Sequence, residues 1–551
     1  MDRPTRYLLL IAGLAVALAA NLFARGVGVG IQAYRAEWIW RPLAKGIPVK
    51  LLPAAGAAGL LVVLIWWLCR EGRWERMPGW GRALSLIGLV LVTFALQCAV
   101  INAVGEPWVA PGAIIASPVS TTYFAISRDV HSVTGYLASY HLIMPGLPYH
   151  AATHPPGLTL FFWAVRRVCE AVTPASALGS PVVAQVQWYA EKLGVGFPPS
   201  DAVAAIVSAL LLALAGSSSI IPAYVLARRL AGARAGLLAA CLMASIPSLL
   251  LLPASSDQLV LFFAVRVVCL AYLAWKSDRL WVAGFAGVAL AVGAFVSLGL
   301  LAIGAWLAVW AVLGWARSRG RGSATSSVPL HEPPGTTDVI LSGARDHAVW
   351  QDERRGSSAS RLAADGSEAL RLRMTDRRES SVRPPRLLTH LMVALLGFVS
   401  LYVVLFLTTG YRAWTVAYIG LFAHRQATTV EFPRTYWKWV LINPVEMAVF
   451  AGLALAIAAL WAAPAMRSPE SRPLRLFLLS WLIVLVVLDV SGTVRAEVGR
   501  IWLFLMWPLA LAGGERLSRA PRYATALPLL VLMQLGQALV MRGYLTMYDI
   551  F

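Results

Sequence analysis

The sequence predicts an all-α polytopic membrane protein of about thirteen transmembrane helices, and three observations carry that reading. Hydrophobic residues make up 59% of the 551 and charged residues only 13%, with a mean hydropathy of +0.69. A soluble surface needs more charge than that. Uncharged runs such as YLLLIAGLAVALAANLFA (7–24) and LLPAAGAAGLLVVLIWWLC (51–69) are long enough to cross a hydrocarbon core. The arginines and lysines behind the formal charge of +20 sit beside apolar segments, where they set orientation. That placement reads as a topology signal and not as a nucleic-acid surface.

Apolar length and basic flanks place spans near 7–24, 51–69, 83–103, 201–227, 235–252, 258–275, 280–297, 299–315, 387–409, 439–463, 475–490, 501–514 and 523–541. The first lacks a small-residue cleavage site after it and reads as a retained helix. With a cytoplasmic N-terminus, the basic stretches 70–82, 227–236, 276–279, 467–475 and 515–522 all fall inside. GLTLFFWAVRRVCEAV (157–172) is denied a span, because Arg166 and Arg167 at mid-depth would cost several kcal/mol. It is expected to lie in the interface plane. Residues 104–200 then form one long extracytoplasmic loop punctuated by Trp, Tyr, His and Pro.

This scheme divides the chain into two N-terminal helices (1–82), a membrane module with the long loop (83–315), a cytoplasmic linker (316–386) and a C-terminal membrane module (387–551). The linker is polar and Ser/Gly/Arg-rich, too poor in apolar residues to fold alone, and is expected to be disordered. The five cysteines, Cys69, Cys98, Cys169, Cys241 and Cys269, stand singly in apolar segments. Without a CxxC or a histidine at ligand spacing, they argue against a zinc site.

The polar residues assigned to the outer side are few. The first loop offers Glu106, Arg128, Asp129, His131, His141, His150 and His154; PASSDQ offers Asp257. Residues 410–438 offer Arg412, His424, Arg425, Glu431, Arg434 and Lys438, and SGTVRAEVGRIW (491–502) offers Arg495, Glu497 and Arg500. Positive charge is disfavoured outside, so arginines in two late loops ask for an anionic partner. A phosphate of a lipid headgroup or a lipid-linked substrate suits their planar donors; anchoring to ordinary phospholipid is the plainer alternative. Asp129 is the leading candidate for a base, followed at a fixed distance by the rigid HPPG corner (154–157). Its plainer role is to N-cap the helix HSVTGYLASY. Glu106, where the third helix emerges, is the rival base. The four histidines have no metal-ligand spacing, although a divalent ion held by carboxylates and a substrate phosphate leaves little trace in a sequence.

The order Asp129, GYLASY, HPPG and an apolar run resembles the first extracytoplasmic loop of the C-type (GT-C) membrane glycosyltransferases, the superfamily of protein O-mannosyltransferases and bacterial aminoarabinose transferases. AIVSALLLALAGSSSIIPAYVLARRLAGARAGLLAACLMASIP (205–247), PASSDQLVLFF (253–263) and RAEVGRIWLFLMWPLAL (495–511) are similar to later stretches of that fold. Three departures stand out. Val130 follows Asp129 where members often pair Asp with Glu, the pattern begins after the third helix, and Val296-Ser297-Leu298 replaces a common Lys-Pro.

The resemblance implies an enzyme that transfers a sugar from a polyprenyl-phosphate donor to a glycan, lipid or protein acceptor, with inversion, on the outer face of a bacterial cytoplasmic membrane. It implies that Asp129 takes the acceptor's proton, and that Arg500, with Arg495 or Arg425, holds the leaving lipid phosphate. Glu497 would orient Arg500, Asp257 would shape the acceptor side, and His131 and His154 would support the loop. A transporter or flippase is the competing expectation, and it should show inverted repeats or helices broken at mid-membrane. A glycan- or lipid-binding scaffold, indifferent to Asp129, is the third.

Overall fold

The computed structural model describes residues 2–25, 49–103, 107–118, 122–192, 194–196, 198–324, 384–431, 434–463, 468 and 471–545. The described residues form helices α1 (Arg3–Ala24), α2 (Leu52–Cys69), α3 (Gly79–Ile101), α4 (Val133–Ile143), α5 (Gly157–Val172), α6 (Pro199–Ser218), α7 (Ile220–Ala231), α8 (Ala233–Met243) and α9 (Pro247–Leu251). There follow α10 (Asp257–Ser277), α11 (Leu280–Val296), α12 (Leu301–Ala324), α13 (Pro384–Thr409), α14 (Ala413–Gln426), α15 (Tyr436–Ala451) and α16 (Leu453–Trp461). The last are α17 (Arg472–Val490), α18 (Val498–Ile501), α19 (Leu503–Ser518) and α20 (Tyr523–Tyr544). No strand occurs among the described residues.

Nine helices among the described residues are long and apolar enough to cross a bilayer, or ten if one sharply bent pair is a single span. The chain is an all-α, multi-pass membrane protein. Its outward faces are as apolar as its core: Leu14, Leu60, Leu395 and Leu407 are all exposed, as lipid-facing positions must be. The remaining four of the thirteen expected spans fall on shorter or interrupted helices. Residues 235–252 break between α8 and α9 where Pro247 begins a new turn, and α11 is a 17-residue helix. Residues 501–514 belong to α19, a 16-residue helix with Pro508 inside it.

The fourth, 439–463, bends by 105° between α15 and α16 at Gly452, whose φ of 100° is open to glycine. In a bilayer no water satisfies the backbone groups that such a bend frees. Two fully buried glutamines on α20 replace it. Gln537 donates to Val449 O at 2.7 Å and accepts from Leu453 N at 3.0 Å. Gln534 donates to Ala451 O at 3.3 Å and accepts from Ser245 Oγ, beside the other break, at 3.1 Å.

The two ends of the bundle sort as the charge pattern anticipates. At one end Arg234 meets Glu75 at 3.0 Å and lies 4.6 Å above the Tyr523 ring, while Arg519 and Ser471 both bond Glu515. Four of the stretches expected on one side of the membrane thus touch or neighbour each other. The other end gathers the described residues of 122–192, 198–201, 253–257, 410–431, 434–438 and 491–501. Helices α1 and α2 pack against α20, so the N-terminal pair shares one apolar core with the last helix. Helix α12 runs past the expected span end at 315 to Ala324, and residues 325–383 of the expected linker lie outside the described residues.

Replacing Gln537 with leucine leaves the Leu453 N–H without its partner, at about 1–3 kcal/mol, and strips Val449 O of one of two bonds, the other coming from Gly452 N at 3.1 Å. Its apparent unfolding midpoint in detergent is expected to fall by several degrees. Leu532→Ala, a lipid-facing change on the same helix, is expected to shift it far less. Equal midpoints for the two variants would remove the glutamines from the account of the bend.

Candidate functional site

The HPPG corner is assembled from the long loop outward. Helix α4 is capped by Ser132, whose Oγ accepts from Gly135 N at 3.2 Å. The cap expected of Asp129 is therefore made by another residue. Beyond α4, Tyr140 Oη donates to His154 O at 2.8 Å and Tyr123 Oη donates to His150 O at 3.0 Å. His154 Nδ1 lies 2.9 Å from His150 O. A carbonyl only accepts, so Nδ1 carries the proton and Nε2 the lone pair. A Cβ on Gly157 would stand 2.3 Å from Phe295 O, so only glycine lets α5 begin directly against the end of α11. Burial pushes His154 down to about 3, and burial together with the Arg500 charge pushes His150 down to about 4. Both rings are neutral near pH 7.

Facing the corner is the loop that carries Arg500. Ala496 and Glu497, neither of them glycine, have φ of 78° and 59°, a conformation costing about 1–3 kcal/mol per residue and concentrated at functional sites. Arg500 Nη2 donates to Glu497 Oε2 at 2.8 Å, and its Nε lies 3.6 Å from Asp257 Oδ2. Its Nη1 makes no hydrogen bond among the described residues. Asp257 also accepts from Ser255 Oγ at 2.5 Å, and Glu497 Oε1 lies 3.6 Å from Arg434. Arg434 and Arg495 each donate to the other's backbone carbonyl, which ties residues 434–436 to the loop. His424 Nε2 donates to Thr493 O at 2.6 Å from α14.

Burial alone would weaken Arg500's hold on its proton, yet Glu497 and Asp257 more than reverse it and raise the guanidinium above its usual range. Arg500 in turn holds the Glu497 carboxyl below the usual carboxylate range against the effect of burial. The side chains remain accessible, Arg500 at 30%, Asp257 at 17% and Glu497 at 51%. The cluster is a preorganised charge constellation at the bundle mouth, able to receive an anion on the uncommitted edge of Arg500.

Beside the corner lies an apolar cavity of about 550 Å³, within the size range of ligand pockets. Its lining includes Pro155, Leu298, Phe398, Tyr402, Tyr411 and Val416, so it runs from the HPPG corner between α13 and α14.

The sequence-derived site residues separate into two groups. Asp257, Glu497 and Arg500 converge, Arg495 braces their loop, and His154 lies close enough to feel the Arg500 charge. Asp129 is exposed at the end of the single turn Ser127–Asp129. No hydrogen bond or ion pair among the described residues joins it to Arg500, although Tyr123, on the preceding turn, interacts electrostatically with Arg500. His131 and Arg425 are exposed and lie outside the charge cluster. Glu106 lies outside the described residues. Arg166 of α5 forks onto buried Asp201 at 2.8 and 3.1 Å and donates to Ser127 O at 2.9 Å, a partner set the sequence did not indicate. Arg167 stays exposed beside Glu170. Arg266 of α10 donates to Ser218 Oγ at 2.8 Å and lies over the Phe262 ring at 3.5 Å.

Sequence reading passed over Asp201, Ser248 and Glu446, whose acidic or hydroxyl groups sit in apolar or proline-rich stretches without a motif. Among the described residues no three His, Cys, Asp or Glu side chains gather as a metal site. No protein-family model matches this chain, and a search of curated proteins returns no relative.

The depressed histidines set a pH response. Each stays neutral in the folded state below its ordinary 6.5, so the stability tied to the neutral rings is present above pH 6.5 and is lost progressively as the pH falls through about 4 for His150 and about 3 for His154. The apparent unfolding midpoint is expected to fall across that window, and His154→Asn to flatten the fall. An equally steep profile in the variant would show that His154 is not the group responsible.

Proposed function

We propose that this chain is a membrane glycosyltransferase of the C-type layout, acting with inversion on a polyprenyl-phosphate sugar at the outer face of a bacterial cytoplasmic membrane, with its N-terminus cytoplasmic. The observation that carries the reading is the Arg500 guanidinium. It is aimed by Glu497 and Asp257, braced by a left-handed backbone, and set opposite the HPPG corner with a chain-sized apolar cavity alongside.

The chemistry follows from those positions. An acceptor hydroxyl attacks the anomeric carbon, the bond from that carbon to the phosphate oxygen breaks, and the acceptor's proton passes to Asp129. The lipid phosphate leaves with one more negative charge than it had in the donor, and Arg500 offsets that charge as it develops. A base and a leaving-group clamp act on opposite faces of the anomeric carbon, so the absence of a bond between Asp129 and Arg500 fits their roles. The cavity beside Pro155 suits the first units of an isoprenoid chain, because it is apolar and borders the HPPG corner, whose His154 interacts with the Arg500 charge.

The broken helices α8–α9 and α15–α16 are the feature that favours the competing transporter reading. Their freed groups are bonded by Gln534 and Gln537, which argues for a sealed seam over a transport path.

Asp129→Asn is expected to lower transfer from polyprenyl-phosphate sugars about 10²–10⁴-fold, the usual worth of a general base, with normal membrane insertion. Undiminished turnover would take Asp129 out of the mechanism, and sugar-lipid movement without transfer would favour the transporter. Arg500→Ala is expected to raise the donor KM and lower kcat about 10²-fold or more while sparing the acceptor KM. A change confined to the acceptor would reverse the two sides of the site.

A further inference from the structure

The peptide that precedes Arg500 is gripped from both sides. Gly499 N donates to Glu446 Oε1 at 3.1 Å, and Gly499 O accepts from Ser248 Oγ at 2.5 Å. Glu446 is 4% exposed and Ser248 fully buried. The site admits no side chain in place of the glycine, because a Cβ at 499 would stand 2.4 Å from the Phe450 ring. One turn earlier on α15, Asn443 donates to Val494 O at 3.0 Å and to Asp489 Oδ1 at 2.9 Å. Residues 443 and 446 share a helix face. That face therefore holds the loop at Val494 and again at Gly499, on either side of the left-handed Ala496 and Glu497.

Glu446 is an expensive way to fill this space. Its Oε2 is buried and has no hydrogen-bond partner, and buried carboxylates and orphaned polar atoms are disfavoured unless they serve some further end. Packing needs alone would select an apolar residue. Neither side chain touches the guanidinium, so their effect on Arg500 is exerted through the backbone.

We propose that Glu446 and Ser248 are positioning residues that clamp the Gly499 peptide and thereby hold the Arg500 guanidinium where it meets the donor phosphate. The inference rests on the reading of Arg500 as the phosphate-binding group. Without the clamp, the strained turn at 496–497 relaxes and the guanidinium loses its fixed aim, so donor affinity falls while the acceptor side is untouched.

The test uses the full chain in lipid nanodiscs, with Glu446→Ala, Glu446→Gln, Ser248→Ala and Arg500→Ala compared for donor KM, acceptor KM and direct binding of an unlabelled polyprenyl phosphate. Glu446→Ala is expected to weaken polyprenyl-phosphate binding and raise the donor KM about tenfold, the worth of a buried N–H left without its acceptor, with the acceptor KM unchanged. Glu446→Gln keeps an oxygen for Gly499 N–H and is expected to stay within about threefold of the parent. Ser248→Ala is expected to give an intermediate loss. If Glu446→Ala folds and binds polyprenyl phosphate normally while Arg500→Ala does not, the clamp is wrong and the role of Arg500 stands. If Arg500→Ala itself binds normally, the reading of Arg500 fails and the inference falls with it. Should Glu446→Ala fail to fold, Ser248→Ala decides, since an unchanged donor KM in that variant overturns the clamp.

Discussion

Inside a bilayer a backbone N–H or C=O has no water to turn to, and the architecture of this protein follows from that constraint. Unbroken helices meet it for free. The interrupted ones do not, and at the breaks near Ser245 and Gly452 side chains from another helix answer. Gln534 and Gln537 reach across from α20 to the bend at Gly452, and Ser245 joins the same network from the break between α8 and α9. The two breaks therefore lock to one another, and helix α20 serves as their common partner.

The same accounting governs the mouth of the bundle, where the chain departs from regular structure to present charge. The loop from Ser491 to Ile501 bonds Asn443, Glu446, Ser248, Arg434 and His424 from four different segments. So many external bonds allow Ala496 and Glu497 to remain in a conformation that an isolated peptide would leave. The resulting guanidinium is already oriented before any ligand arrives, with two carboxylates fixing two of its edges and a third edge uncommitted. Orientation fixed in advance is what makes an electrostatic group effective against charge that develops during a reaction.

The long loop contributes stiffness of another kind. Arg166, Asp201 and Ser127 form a partly buried polar knot that fastens α5 to α6, while Trp163 Nε1 donates to Val130 O at 2.9 Å and pins the strand of chain next to Asp129. Asp129 thus projects from a segment whose backbone is tied down, while its side chain makes no hydrogen bond or ion pair among the described residues. Exposure on such a firm base is what the proposed general-base role asks of Asp129, whereas Asp257 and Glu497 are committed to ion pairs.

Composition and the spacing of apolar runs determined that this is a multi-pass helical membrane protein, because bilayer thickness translates directly into segment length. Four of the five basic stretches expected at one end do meet there, and HPPG announced a rigid corner, since proline and glycine act locally. Three of the residues drawn from the sequence, Asp257, Glu497 and Arg500, do assemble. What only the tertiary structure decided is which partner each charge takes: Arg166 turns inward to Asp201, Ser132 and not Asp129 caps α4, and Glu446 grips a peptide over fifty residues away in the chain. The bend at Gly452 was invisible for the same reason. Its stability resides in glutamines from a distant helix, and a hydrogen bond between remote segments leaves no periodicity in the sequence of either.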